Sequence, residues 1–365
     1  MTIPPEIDTP DILIDVDILE RNIARMAAAV QDKGLALRPH AKTHKITEIA
    51  ARQMAAGAAG LTVATIGEAE VFAAAGISDI FIAYPLWVSP QKAGRLRALA
   101  STATVSVGVD SAAGATELGA GLGQAAGSVS VLVEIDSGHH RSGVRPESAA
   151  AVAAAAARAG LQVAGVFTFP GHSYAPGMPT EAAAQEQQAL RQAAESLAAA
   201  GFEATRRSGG STPTALLTER STATEVRPGV YVFGDAQQLE LGRCTVEDIA
   251  LTVAATVVSH HETSPHAPAR LIIDTGSKIL GSDRPAWATG FGRLIDYPDA
   301  RITALSEHHA TVEWPEGSTV PPLGERLRVV PNHVCLAINL VDDVAVTSRG
   351  ALVDRWAVAA RGKNR

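Results

Sequence analysis

From residue 35 the chain alternates short β-branched and apolar runs with longer segments whose apolar residues recur at helical spacing, the pattern of repeated β-α units around a parallel sheet. The runs at 35–39, 61–64, 79–84, 104–109, 128–135, 161–167, 203–207 and 230–233 predict eight strands. Helices are expected over 66–75, 90–100, 146–158 and 180–200. Gly76, Gly160 and Gly201 close three of them, since glycine accepts the left-handed turn that stops a helix. Eight such units predict a (β/α)8 barrel; a doubly wound open sheet shows the same alternation, and a strand count does not separate the two. Beyond about residue 245 the rhythm changes. The runs at 250–258, 271–274, 310–314, 327–330 and 343–347 follow one another through Pro, Gly and Asp turns without helices, which predicts an all-β domain. The expected division is a barrel over 12–243 and a β domain over 244–365, with residues 1–11 adding to the latter. The strand-like run 11–15, followed by a helix over 18–30, can pair with either.

Composition narrows the class. With 365 residues, 46% hydrophobic and 19% charged, the chain can bury a substantial core. A net charge of -7 and scattered Lys and Arg argue against a nucleic-acid partner. No apolar run reaches the roughly 20 residues that span a bilayer, and residues 1–5 lack the basic start and apolar middle of a signal peptide, so no membrane partner and a cytoplasmic location are expected. Two cysteines, Cys244 and Cys335, cannot form a disulfide framework and point to metal binding or packing. The alanine-rich tract 149–157 reads as helix surface.

In a barrel the reactive groups sit where strands end at their C-terminal side. Those positions hold His40, Lys42, Thr43 and His44, then Asp136, His139, His140 and Arg141, then His172, Ser173 and Tyr174, then the 209–212 loop, and Asp235. Loops are polar in any protein, but Lys, His and Tyr in loops that converge are less easily put down to that. Lys42 is the sharpest of them. One of only six lysines, it stands in Arg38-Pro39-His40-Ala41-Lys42-Thr43-His44-Lys45, where cationic neighbours and partial burial favour the neutral amine that forms a Schiff base. Lys45 is expected on the first turn of the next helix, facing solvent. Gly209-Gly210-Ser211-Thr212-Pro213 can present successive N–H groups and two hydroxyls to an anion, or can be a plain tight turn. A Schiff-base lysine and a phosphate cradle at one barrel mouth together imply pyridoxal 5'-phosphate (PLP).

In the β domain, Pro331-Asn332-His333-Val334-Cys335 reads as extended, so His333 and Cys335 share a face and can bind one ion, with zinc suited to thiolate and imidazole. Two ligands leave open positions; a buried Cys beside a hydrogen-bonded His is the bland alternative. Cys244 reads as core. His260, His261 and His266 read as a solvated turn, and His308 with His309 fits either a site or a turn. An acid–base pairing is open between Asp136 and the His139-His140-Arg141 run, with Arg141 nearest a cofactor.

Together, the RPHAKTHK segment, Gly67-Glu68-Ala69-Glu70, Ala83-Tyr84-Pro85, His172-Ser173-Tyr174, Gly210-Ser211-Thr212-Pro213, Pro228-Gly229-Val230-Tyr231-Val232-Phe233 and Pro331-Asn332-His333-Val334-Cys335 resemble the metal-activated pyridoxal enzymes. That family includes D-serine dehydratase and D-threonine aldolase and has the fold of alanine racemase (fold type III), a PLP-binding barrel followed by a β domain. The resemblance implies that Lys42 carries PLP, that Tyr174, Gly210, Ser211, Thr212 and Tyr231 contact it, and that His333 and Cys335 hold a divalent metal, zinc or manganese. It implies a lyase for a small D-3-hydroxy-α-amino acid, working as a homodimer. His333-x-Cys335, the 210–213 loop and Phe233-Gly234-Asp235-Ala236-Gln237-Gln238 lean toward D-serine dehydration. D-threonine aldol cleavage, with His172 as base, is the alternative. A racemase, for which no second base is evident, and a non-catalytic PLP carrier are further readings.

Overall fold

The computed structural model describes residues 3–261 and 269–365. The chain folds as two compact units, each assembled from separate segments: Ala24–Lys42, Ile49–Gly229 and Gly362–Arg365 form one, and Met1–Ile23, Thr43–Glu48 and Val230–Arg361 the other. Strand β1 (Asp11–Asp15) and helix α1 (Val16–Asp32) open the chain.

The first unit holds eight parallel strands: β2 (Ala36–Leu37), β3 (Leu61–Val63), β4 (Asp79–Pro85), β5 (Thr104–Val109), β6 (Val129–Glu134), β7 (Gln162–Phe167), β8 (Arg206–Gly209) and β9 (Glu225–Val226). They lie in the order β2-β9-β8-β7-β6-β5-β4-β3. A parallel bridge between His40 and Thr62, with the Thr62 N–H donating to Pro39 O at 2.8 Å, joins the two ends. Helices α2 (Thr47–Ala55), α3 (Ile66–Ala74), α4 (Pro90–Ala100), α5 (Ala112–Leu122), α6 (Ala149–Arg158) and α7 (Pro179–Ala199) alternate with the strands. Their starts are capped as the sequence suggests: Thr65, Ser89 and Ser111 each accept a backbone N–H of the first turn. Gly76, Gly160 and Gly201 take positive φ after α3, α6 and α7, the stops expected of them.

Two readings of this unit are corrected. The eighth strand is Glu225–Val226, not 230–233. Glu225 and Val226 already pair with both β8 and β2, Pro228 lacks the N–H to continue a ladder, and Val230 O accepts the N–H groups of Phe233 and Gly234 in a tight helical turn. The alanine tract is not simply helix surface. Ala149, Ala153, Ala155 and Ala156 are buried, because a methyl-sized face lets α6 lie close to its neighbours.

The second unit contains β10 (Leu251–His261), β11 (Arg270–Ile273), β12 (Gly292–Leu294), β13 (Arg301–Leu305), β14 (Ala310–Glu313), β15 (Arg326–Pro331), β16 (Asp343–Ser348) and β17 (Ala351–Ala357), with short helices α8 (Ala236–Glu240), α9 (Ser277–Leu280) and α10 (Val334–Ile338). Strand β1 belongs here, antiparallel to β10 and parallel to β16, where Ile12, Leu13 and Ile14 are buried. His260 and His261 end strand β10 rather than standing in a turn, pairing with Leu271 and Arg270; His266 lies outside the described residues.

Candidate active site

In the barrel unit the loops after β2, β6 and β7 bring four of the singled-out side chains around one ring. Lys42 Nζ lies 5.6 Å from the centroid of Phe169, and Arg141 Cζ lies 5.1 Å from it. The His139 ring meets Phe169 edge-on at 5.7 Å and the Tyr174 ring lies 6.2 Å away. An aromatic face attracts both cations and fixes where they sit. Sequence reasoning did not single out Phe169, because an apolar residue in a polar loop carries no signal until its neighbours are known.

Behind this ring Arg141 lies 3.9 Å from Glu134, whose carboxyl is pushed up by burial and by Asp110, against Ser142, Arg141 and Arg227. The acid–base pairing after β6 is present: His140 Nδ1 meets Asp136 Oδ2 at 2.7 Å. His172 Nε2 lies 2.8 Å from Gln185 Oε1, and no described residue hydrogen-bonds its buried Nδ1.

The 209–213 segment is a built loop rather than a loose turn, and it differs from the expected row of outward N–H groups. The Gly210 N–H donates to Glu186 on α7 and the Ser211 N–H to Thr214 Oγ1, so both point into the protein. Hydroxyls form the other side. Ser211 and Ser173 Oγ lie 3.0 Å apart, and the buried Thr212 Oγ1 has no hydrogen-bond partner among the described residues. A buried hydroxyl without a partner is costly unless something fills the place, so the loop fits a phosphate group through its hydroxyls.

Arg38 and Lys45, two of the cations in the opening motif, are not where the sequence puts them. Arg38 is buried, bonded to Asp79 at 2.8 Å and to Glu225 at 3.0 Å, so its charge is neutralised inside the sheet rather than spent on Lys42. Burial opposes ionisation of Glu225, but Arg38, Arg206 and Ser208 hold it down to about 2. Lys45 is buried rather than solvated. It takes φ +54° ahead of α2, and its Nζ donates to Asn339 Oδ1 at 2.8 Å. His44 is fully buried and its Nδ1 accepts the Ile46 N–H at 3.1 Å.

In the β unit, His333 and Cys335 are not on one extended strand. His333 caps helix α10 and Cys335 lies in its first turn, yet the side chains still meet. Burial opposes protonation of His333, but Cys335 and Asp235 outweigh it and raise its proton affinity well above the usual value. Asp235, itself the N-cap of α8, reaches His333 Nδ1 at 3.3 Å, and the Cys335 thiol lies 3.4 Å from Thr43 Oγ1. Thr43 follows Lys42 in the chain. No group of three His, Cys, Asp or Glu in metal-binding geometry occurs among the described residues. An electron-rich pair, oriented by a carboxylate and incomplete by itself, fits a cation with open positions. Tyr231 is buried in the Val230–Val232 turn, and Cys244 is half-buried, packed by Ala236, Ile249 and Val330.

Comparison with known proteins agrees with this architecture. The alanine racemase N-terminal domain family matches residues 14–237, and a domain model named for serine dehydratase matches 250–347. D-threo-3-hydroxyaspartate dehydratase of Delftia sp. (strain HT23) is 38% identical over 352 residues, 90% of this chain and 91% of that enzyme. The chain belongs to the alanine racemase-fold family of these dehydratases and aldolases. D-threonine aldolase of Arthrobacter sp. is 35% identical over 367 residues, 98% of this chain and 94% of that one. The solved Delftia dehydratase superposes with a TM-score of 0.88 at 34% identity, over 98% of this chain and 99% of its own. Among solved variants of D-threo-3-hydroxyaspartate dehydratase, one has a histidine replaced by alanine; another has a cysteine two positions further on replaced by alanine and is described as metal-free. That spacing is the spacing of His333 and Cys335.

Proposed function

We propose that the protein is a lyase dependent on PLP and a divalent cation, zinc or manganese, that acts on D-3-hydroxy-α-amino acids and dehydrates D-serine to pyruvate and ammonia. The observation that carries this reading is the His333–Cys335 pair, braced by Asp235, with no third ligand among the described residues, an open arrangement that suits a substrate hydroxyl. When bound, PLP supplies an electron sink at Cα and the cation supplies Lewis acidity at the β-hydroxyl. Lys42 would hold the cofactor through Nζ, and its amine, when free, would take the Cα proton. Ser211 and Thr212 seat the phosphate through their hydroxyls on the loop that Gly210 shapes, while Arg141, Tyr174 and Tyr231 fix the cofactor's orientation. Loss of the β-hydroxyl and hydrolysis then give the 2-oxo acid and ammonia.

The aldolase alternative is favoured by one detail, the buried Nδ1 of His172 that no described residue hydrogen-bonds, which is available to accept a hydroxyl proton. D-Threonine separates the outcomes. Elimination yields 2-oxobutanoate and ammonia, and cleavage yields glycine and acetaldehyde. Chelation should abolish either activity and zinc or manganese should restore it; if neither product pair forms with metal present, the lyase reading fails. The carrier reading gains support only if PLP binds with no effect of metal. We also place the enzyme in the cytoplasm as a homodimer, in keeping with the family resemblance; light scattering of the purified protein tests the second point. No described helix is long and apolar enough to cross a membrane.

A further inference from the structure

The hydroxyl loop is braced from behind by a carboxyl group that seating a phosphate does not by itself require. Glu186 is fully buried on α7 and accepts the Gly210 N–H through Oε1, while no described residue hydrogen-bonds Oε2. The sequence makes room for this contact. A Cβ at Gly209 would fall 2.5 Å from Glu186 Oε1, and one at Gly210, where φ is +77°, would fall 2.8 Å from Val226 Cβ. Residues 210–214 carry no ionisable side chain. On β8, Arg206 is spent on Glu225 and Ser106, and Arg207 on the Thr222 and Ala204 carbonyls. The charge acting on Glu186 is Arg227, which is drawn also to Glu225 and Glu134. Burial pushes the Glu186 carboxyl up to about 7, against the Gly210 N–H, Arg227 and the Thr214 hydroxyl.

We propose that Glu186 is the positioning residue of the anion loop, holding Gly210 in place, and that the loop grips a phosphate group firmly only while Glu186 carries a proton. An ionised Glu186 and a phosphate would face each other across one thickness of backbone in a low-dielectric interior, with Arg227, shared with Glu225 and Glu134, as the charge that offsets both. The inference rests on the reading of this loop as the PLP phosphate site.

The test is a binding titration, by absorbance or fluorescence, of protein stripped of cofactor. PLP is compared with pyridoxal, which lacks the phosphate, in wild type and in Glu186→Gln, which keeps an acceptor for Gly210 but cannot ionise. Between about pH 6 and pH 8 the wild-type dissociation constant for PLP should rise about tenfold more than that of the variant, with the two proteins parallel for pyridoxal. Parallel curves for PLP overturn the inference and leave the phosphate reading intact. If PLP binds no more tightly than pyridoxal, the phosphate reading fails and takes the inference with it. Should the variant not fold, calorimetry of the wild type in buffers of different ionisation enthalpy replaces it. Proton uptake on binding PLP beyond that for pyridoxal supports the proposal, and no excess overturns it.

Discussion

The roles proposed for Lys42 and Cys335 predict different traces when each is removed. Lys42→Ala should abolish the visible absorbance of the lysine-linked cofactor and lower turnover by at least about a thousandfold, since both covalent attachment and proton transfer go with it. Cys335→Ala should keep that absorbance and lose activity together with the response to added zinc. Spectra and product assays on the two proteins decide the matter, and a Cys335→Ala enzyme as active as wild type in the presence of chelator would remove the metal from the mechanism. At this scale the sequence showed residue types better than environments. Lys42, His333 and Cys335 stand in motifs legible one residue at a time. Arg38 read as a cationic neighbour of Lys42 and Lys45 as a solvated cation because a charge pattern cannot show that Asp79, Glu225 and Asn339 await them inside. Phe169 was invisible for the opposite reason, its importance being a meeting place for four other side chains.

Short helices, more than strands, aim the His333–Cys335 pair. Asp235 starts α8 by accepting the Gln238 N–H through Oδ1, while Oδ2 reaches His333 Nδ1, so one carboxylate both caps a helix and orients a ligand. Asparagine caps as well as aspartate, which allows the two roles to be separated. Asp235→Asn should leave the thermal midpoint nearly unchanged and weaken metal affinity about 10- to 100-fold, the usual size of an outer-sphere carboxylate effect. A metal titration with equal affinity for both proteins would assign Asp235 to the helix alone. The barrel alternation was legible because apolar runs, serine and threonine caps and glycine stops all repeat the same message. Its eighth strand was not, since Glu225–Val226 is two residues long and half of it is a buried charge, whereas the apolar Val230–Val232 turn imitates a strand. His333 and Cys335 do meet, though not in the extended conformation expected of them. A cap followed by a helical turn brings i and i+2 side chains together as an extended chain was expected to, and spacing alone cannot tell the two apart.

For the molecule as a whole, two buried glutamates pull stability in opposite directions with pH. Glu225 is held near 2 in the folded chain against about 4.5 when unfolded. It therefore contributes stability that is fully present above about pH 4.5 and is lost as pH falls through about 2. Glu186 is raised to about 7 from the same reference. Its contribution is fully present below about pH 4.5 and is lost as pH rises through about 7. Each shift corresponds to about 3 kcal/mol. Urea unfolding of cofactor-free protein should therefore show, from these two groups, a stability maximum near pH 5 that declines toward both sides. Glu186→Gln should remove the decline above pH 5 and be the more stable protein at about pH 8. Glu225→Gln should lose about 3 kcal/mol or more near neutral pH, because Arg206 is left without its carboxylate and Arg38 keeps only Asp79, and should approach wild type in acid. If the midpoints of wild type and Glu186→Gln differ by the same amount at pH 5 and pH 8, Glu186 does not titrate within the folded protein. The alkaline decline would then have another source, and the proton linkage assigned to the phosphate loop would lose its physical basis.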